Sequence, residues 1–489
     1  MLFNSFSFLY FFPIVVILYF LLPKKIRWFW LLITSYYFYM CWSPKYALLI
    51  LTSTIITYLS GIFIEKAIKE GFGNKKVYVA ISFISNLAIL IGFKYFNFLD
   101  ENLAILFDAI GMKWEVSNWN IMLPVGISFY TFQALSYTMD VYRGQIVATR
   151  HFGKYSLFVS FFPQLVAGPI EKSINLLPQF DQVKKFDYDR IKDGLIMMML
   201  GFFKKLVIAD RLAILVNTVF NDPTKYTGFE LLIATIFFSF QILCDFSAYT
   251  DIAIGAAKVL GYDLMKNFNR PYFSKSIPEF WRRWHISLGG WFRDYLYFPL
   301  GGSRVVKWKK YRNIMIVFLV SGIWHGASWN FLIWGFLHGV YQIIDLMLSP
   351  FINIIYKKLN IDKNTFNYRA YKVLLTFGLV SFAWVFFRAN TLTDAMYITK
   401  NFFVFNSDFW CGDGLYKLGL ERREFKIAII SILVLLGMDL LERKFNLLDA
   451  LRKQNIVLRW VFYIVFTFYI LYYGVYGGNE KAAFIYFQF

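Results

Sequence analysis

Apolar positions along the chain gather into long runs separated by short polar connections. The clearest are Phe6 to Leu22, Val77 to Gly92, Leu231 to Leu243, Ile314 to Trp324 continuing through Phe336, Val373 to Phe387, Ile427 to Leu441 and Trp460 to Tyr473. A helix of roughly 18 or more apolar residues crosses a bilayer core of about 30 Å. The shorter runs reach that length with a few flanking residues. Because the runs recur from end to end with no long polar stretch, internal repeat or low-complexity tract, the pattern predicts one all-α polytopic membrane domain over residues 1–489 and no soluble appendage.

Composition agrees. The 489 residues are 58% hydrophobic and 21% aromatic but only 17% charged, where soluble domains carry about a quarter charged residues. A net charge of +20 raises nucleic acid as a partner, but the cations stand in clusters between apolar runs, as at Lys24-Lys25-Ile26-Arg27. Cytoplasmic loops of membrane proteins carry such clusters, which also attract anionic lipid headgroups. The first apolar run has no basic residue before it and a basic cluster after it, so it reads as a span with its N-terminus outside and not as a cleaved leader. Arg443, Lys444, Arg452, Lys453 and Arg459 place the connection before the last span in the cytoplasm. Residues 478–489 then form an extracytoplasmic aromatic tail, and the number of full crossings is even. Cys41, Cys244 and Cys411 are too scattered for a disulfide framework or a metal array.

Histidine is the natural general base for moving an acyl group onto a hydroxyl, and the chain has four. His325 lies in Ile314 to Trp334, a stretch with no other ionisable side chain. Ionisable groups at membrane depth are costly and usually mark function, although a histidine hydrogen-bonded between helices is the plainer alternative. Gly322 and Gly326 flank it at a spacing that suits a helix-packing seam, and Trp324, Trp329 and Trp334 surround it. A dry pocket here protects a thioester from hydrolysis. His285 lies in Glu279 to Gly302 among tryptophans and the charged residues Arg282, Arg283, Arg293 and Asp294, a composition that also fits an interfacial anchor. His338 falls 13 residues after His325 and nears the end of its run, and His151 reads as a solvated loop residue. There is no phosphate-binding Gly-rich loop, His-Glu-x-x-His or Gly-x-Ser-x-Gly motif. No metal and no tightly bound cofactor is expected.

Several segments together resemble the membrane-bound O-acyltransferase family, in its alginate O-acetyltransferase-like branch. They are Leu123 to Gln133, Phe162 to Ile170, Gly201 to Asp210, Asp245-Phe-Ser-Ala-Tyr-Thr-Asp251, Trp281 to Gly302, Ile323 to Asn330, Ser381 to Arg388 and Phe484 to Phe489. The resemblance implies about a dozen transmembrane and re-entrant helices around a central tunnel, irregular backbone being tolerated only where it is enclosed. The family's two recurring histidines fall on His325 and His285. The resemblance further implies acetyl transfer from a cytoplasmic thioester such as acetyl-CoA, through the cell membrane, to a polysaccharide by way of an exported SGNH-hydrolase-like partner. Arg282, Arg283 and Arg293 are the expected donor-binding residues, since guanidinium suits phosphate, and Trp324, Trp329 and Asn330 the expected tunnel lining. Tyr486, in the aromatic tail, is a candidate covalent acyl relay, with simple packing as its alternative. D-alanyl or other acyl transfer to teichoic acid, lipid or protein is the nearest competing activity. A glycan flippase without chemistry is the competitor of a different class, but it has no need for a lone imidazole among tryptophans.

Overall fold

The computed structural model describes residues 1–71, 73–117, 123–404, 414–476 and 484–485, and these contain helices and connections but no strand. In the first half, α1 (Phe6–Leu21), α2 (Arg27–Met40), α3 (Pro44–Lys69), α4 (Lys75–Lys94), α5 (Phe96–Ala109), α6 (Ile127–Tyr142), α7 (Phe152–Ser160) and the single turn α8 (Ser173–Leu176) follow one another. Then come α9 (Tyr188–Phe202), α10 (Asp210–Phe220), α11 (Phe229–Val259) and two short helices, α12 (Ile277–Arg283) and α13 (Ile286–Phe292). The remainder comprises α14 (Lys307–His325), α15 (Trp329–Lys358), α16 (Phe366–Arg388), α17 (Leu392–Asn401), α18 (Arg422–Leu441), α19 (Leu447–Arg452) and α20 (Ile456–Tyr473). A π-helical segment, Phe203–Ala209, joins α9 to α10 without a break.

Among the described residues six helices, α3, α4, α11, α15, α16 and α20, are long and apolar enough to cross a bilayer. The chain is a polytopic membrane protein. Within their most apolar windows, 78% of α11 is buried inside the protein but only 6% of α20, so α11 is the central post and α20 a peripheral element. α11 contributes to both large hydrophobic clusters, one built mainly from α1 to α7 and the other from α10, α16 and their neighbours. Its crossing with α9 is backbone-close because both sides are small: a methyl group added to Gly194 would strike the carbonyl of Gly255. Lipid offers no hydrophobic drive between helices, so such small-residue contacts carry the packing.

Three differences from the sequence pattern follow from chain stops and polar content. The run from Ile314 through Phe336 is two helices, because the backbone at Gly326 turns extended (φ −169°, ψ 159°) and α15 restarts after Ser328. His338 therefore sits on a different helix from His325, ten residues into α15 and far from its end. The span α3 contains five Thr or Ser residues in Thr52 to Thr57 and Ser60. Hydroxyls there are absorbed by carbonyls one turn back, as from Thr54 to Ile50 and Thr57 to Ser53 at 2.7 Å.

Candidate active site

The candidate site is built at the end of α14. Gly322 lies against the backbone of Phe331 and Gly335 against that of Phe318, leaving no space for a Cβ at either position. This clamps α14 and α15 into a tight antiparallel hairpin and holds His325 in its elbow. The imidazole is 4% exposed. Ring walls enclose it edge-on: Trp324 at 4.9 Å, Trp334 at 4.9 Å and Phe387 of α16 at 5.2 Å between centroids.

The last carbonyls of a helix have no partner within it, and at α14 they are met from α4. Lys94 donates to the carbonyls of Trp324 and His325, both at 2.9 Å, and lies 3.5 Å from Ser128 Oγ. Tyr95 donates to the carbonyl of Ile323 at 2.7 Å. An ammonium at this helix end also answers the negative pole of the helix dipole. Lys94 and His325 line one cavity together with Pro124, Gly126, Ser128 and Trp324, with a volume of about 30 Å³. That holds about one or two waters, so a sugar or thioester needs the walls to part.

His285 precedes α13 with left-handed backbone angles (φ 44°, ψ 55°), a region costly for a bulky side chain and frequent at functional sites. Asn267 holds it there. Its Oδ1 accepts from the Ser287 backbone N–H at 3.1 Å and the Ser287 hydroxyl at 3.0 Å, and lies 3.1 Å from His285 Nδ1. Because that oxygen is an acceptor, Nδ1 is the donor and Nε2 carries the lone pair. The ring packs on Phe246 at 4.8 Å, Trp324 at 6.0 Å and Phe129 at 6.2 Å. Trp324 thus touches both imidazoles. His338 is the third buried histidine, 5.1 Å from Trp334, with Nδ1 accepting from Trp281 Nε1 at 3.2 Å.

The other candidate residues scatter. Arg283 is paired with Glu279 at 2.6 Å, Arg293 with Asp294 at 3.1 Å, and Arg282 is exposed without an ion pair among the described residues. Trp329 is 54% exposed and donates to Asn102 at 3.1 Å, away from the cavity at His325. Asn330 is buried and donates to the carbonyl of Ala389 at 2.8 Å. Tyr486 lies outside the described residues. Its neighbours Phe484 and Ile485 are buried: the Ile485 N–H donates to Asp245 at 2.5 Å, and Phe484 lies under the Lys205 ammonium at 4.4 Å and against Tyr249 at 4.8 Å. Lys205 in turn pairs with Asp245 at 2.6 Å and Asp210 at 2.8 Å. His151 is exposed and caps α7.

Sequence reasoning passed over Lys94. A lysine closing an apolar span reads as one that reaches outward to the interface, and nothing in the pattern reveals that it turns inward onto another helix. The Lys205, Asp210 and Asp245 group was present only as residues inside two motif segments.

The sequence pattern of the "MBOAT, membrane-bound O-acyltransferase family" matches residues 145–387. The chain is 36% identical over 438 residues to the "Probable alginate O-acetylase AlgI" of Azotobacter vinelandii, covering 89% of this chain and 84% of that protein. It is 35% identical over 425 residues to the "Peptidoglycan O-acetyltransferase" of Helicobacter pylori, covering 81% and 76%. To the "Teichoic acid D-alanyltransferase" of Bacillus subtilis it is 31% identical over 234 residues, covering 45% and 58%.

Proposed function

The chain belongs to the membrane-bound O-acyltransferase family and is an acyltransferase, and from that premise we propose that it O-acetylates an extracytoplasmic polysaccharide. The observation that carries the reading is His325, buried among rings at the carbonyl-capped end of α14 and lining a cavity that Lys94 shares. In the chemistry we assign, the imidazole of His325 takes the proton of the accepting hydroxyl as its oxygen attacks the thioester carbonyl. The C–S bond breaks and the proton passes to the departing thiolate. His285, held in place by Asn267, orients the second reactant, and the ring walls exclude the water that would otherwise consume the donor.

An acetyl thioester such as acetyl-CoA enters from the cytoplasm near Arg282, Arg283 and Arg293, and an SGNH-hydrolase-like partner passes the group to the glycan outside. Acetyl and a long polysaccharide are favoured over D-alanine because the acetyl-transferring relatives match over most of the chain and the D-alanyl ones over about half. Both termini lie outside the cytoplasm in this reading, and the tail spans residues 478–489. Its Tyr486 takes the acetyl group as an ester and releases it to the partner, regenerating the phenol.

Proteoliposomes test the reading. Labelled acetyl thioester supplied on the face carrying Lys24, Lys25 and Arg27 should label an acceptor on the other face, and D-alanyl thioester should not compete. Transfer from donor on the opposite face alone overturns the sidedness. Full glycan acetylation by Tyr486→Phe, which keeps the ring and removes only the oxygen, overturns the relay.

A further inference from the structure

Where α1 gives way to α2, the chain forms a second cavity that shares no lining residue with the one at His325 and has a volume of about 330 Å³. Five cations line it, Lys24, Lys25, Arg27, Lys154 and Lys184, against the single carboxylate of Asp181, which pairs with Lys154. Its base is aromatic: Tyr19 and Tyr262 meet hydroxyl to hydroxyl at 3.1 Å, and Arg27 stands 5.2 Å over the Tyr19 ring. The guanidinium is held rigidly by the carbonyls of Leu22, Phe20 and Lys184 at 2.8 to 3.0 Å. Burial and the nearby Arg190 hold the Lys184 ammonium below its ordinary range.

A volume whose rim carries an excess of cationic groups is a site short of anionic charge. Its lysines are compact cationic donors that match the oxygens of a phosphate, and its wall is completed by the rings of Tyr19, Trp28, Phe180 and Tyr262. We propose that this cavity binds a phosphate-bearing anion, supplied either by the headgroup of an anionic phospholipid or by a soluble nucleotide phosphate. The site stands apart from the proposed acyl-transfer chemistry, and its occupancy does not require that reading to hold.

Purified protein is titrated with two probes: phosphatidylcholine vesicles doped with phosphatidylglycerol, and adenosine 3′,5′-bisphosphate. The pocket variant Lys24→Gln/Lys25→Gln/Lys184→Gln leaves Arg27 and the Lys154–Asp181 pair in place. The control Lys357→Gln/Lys358→Gln removes exposed cations at the end of α15, which line no cavity described here. Binding of at least one probe should weaken by about tenfold or more in the pocket variant and stay near the parent value in the control. Dependence on the doped lipid identifies a headgroup, and dependence on the bisphosphate identifies a soluble phosphate. Equal losses in both variants mean bulk surface charge and overturn the proposal, as does failure of the parent protein to prefer either probe over neutral vesicles. Thermal unfolding checks that each variant is folded. Should the pocket variant not fold, the same titration on Lys24→Gln/Lys25→Gln decides, with a loss of several-fold expected and an unchanged affinity overturning the proposal.

Discussion

Among the polar groups buried in the described residues, two are compensated in opposite ways. At the tail socket, Lys205 is answered by Asp210 and Asp245 within 2.8 Å, and Asp245 also takes the N–H of Ile485. At the elbow of α14 and α15, Lys94 meets carbonyls, a distant hydroxyl and the Trp324 ring at 6.0 Å, and His325 is walled by rings. The first arrangement neutralises its charges and fastens structure. The second keeps an amine and an imidazole beside a cavity with no carboxylate among its lining residues, an arrangement with chemistry to spare.

The most severe way to break this contrast is at the elbow. His325→Ala should lower acetyl transfer by about 10²-fold to 10⁴-fold, the range typical of losing a general base, while protein level and thermal unfolding stay near the parent. Near-normal transfer in the folded variant removes His325 from the chemistry and revives a flippase without catalysis.

At the socket the loss should appear in stability. Lys205→Met leaves two buried carboxylates facing each other and should cost about 3–5 kcal/mol in unfolding free energy. The triple variant Lys205→Met/Asp210→Leu/Asp245→Leu should recover a good part of it, because uncompensated charge and not the missing pair is the source of the cost. If the triple variant is as unstable as the single one, the cluster has a role beyond neutralising itself.

Lys94→Met sharpens the comparison between the two cations. It removes hydrogen bonds to two carbonyls, a loss of about 0.5–1.5 kcal/mol each, and frees the end of α14. Both stability and transfer should fall, whereas Lys94→Arg should restore stability better than activity, since the larger fork intrudes on a cavity of about 30 Å³. Equal rescue of both by arginine assigns Lys94 a purely structural cap.

How much of this could be read from the chain divides along the same line. Long apolar runs reveal spans because bilayer thickness imposes length, so α4, α11, α16 and α20 each contain a run seen in the sequence, whereas the runs at Phe6 and Ile427 fall in α1 and α18, which are not among the helices long and apolar enough to cross. The α14–α15 elbow was hidden because Trp-His-Gly-Ala-Ser-Trp is as apolar as a helix interior, and only backbone geometry at Gly326 ends α14. His325 stood out because isolated titratable groups in apolar surroundings are few, and His285, set among charged residues, through the family resemblance. That one ring, Trp324, joins them depends on α13 and α14 meeting, a tertiary fact with no signature in spacing. Lys94 shows the limit most plainly, since its partners are carbonyls more than 200 positions away and carbonyls are present at every residue.

The smallest expected effect concerns Glu171, in the connection between α7 and α8 and outside the spanning helices. Burial pushes its carboxyl up from the ordinary range to about 7, against the opposing pull of the Met265 N–H that it accepts. A raised acid binds its proton more tightly in the folded state than in the unfolded one. Its contribution is therefore fully present below about pH 4.5 and declines as pH rises toward and through 7. Glu171→Gln keeps an oxygen to accept from Met265 while removing the ionisation, so its midpoint should change less than the parent's between pH 5 and 8. At pH 8 it should exceed the parent by about 2 °C or more. A parent midpoint that rises over this window, or a variant with the same slope, shows that Glu171 is ionised in place and that its charge is met by the surrounding polar groups.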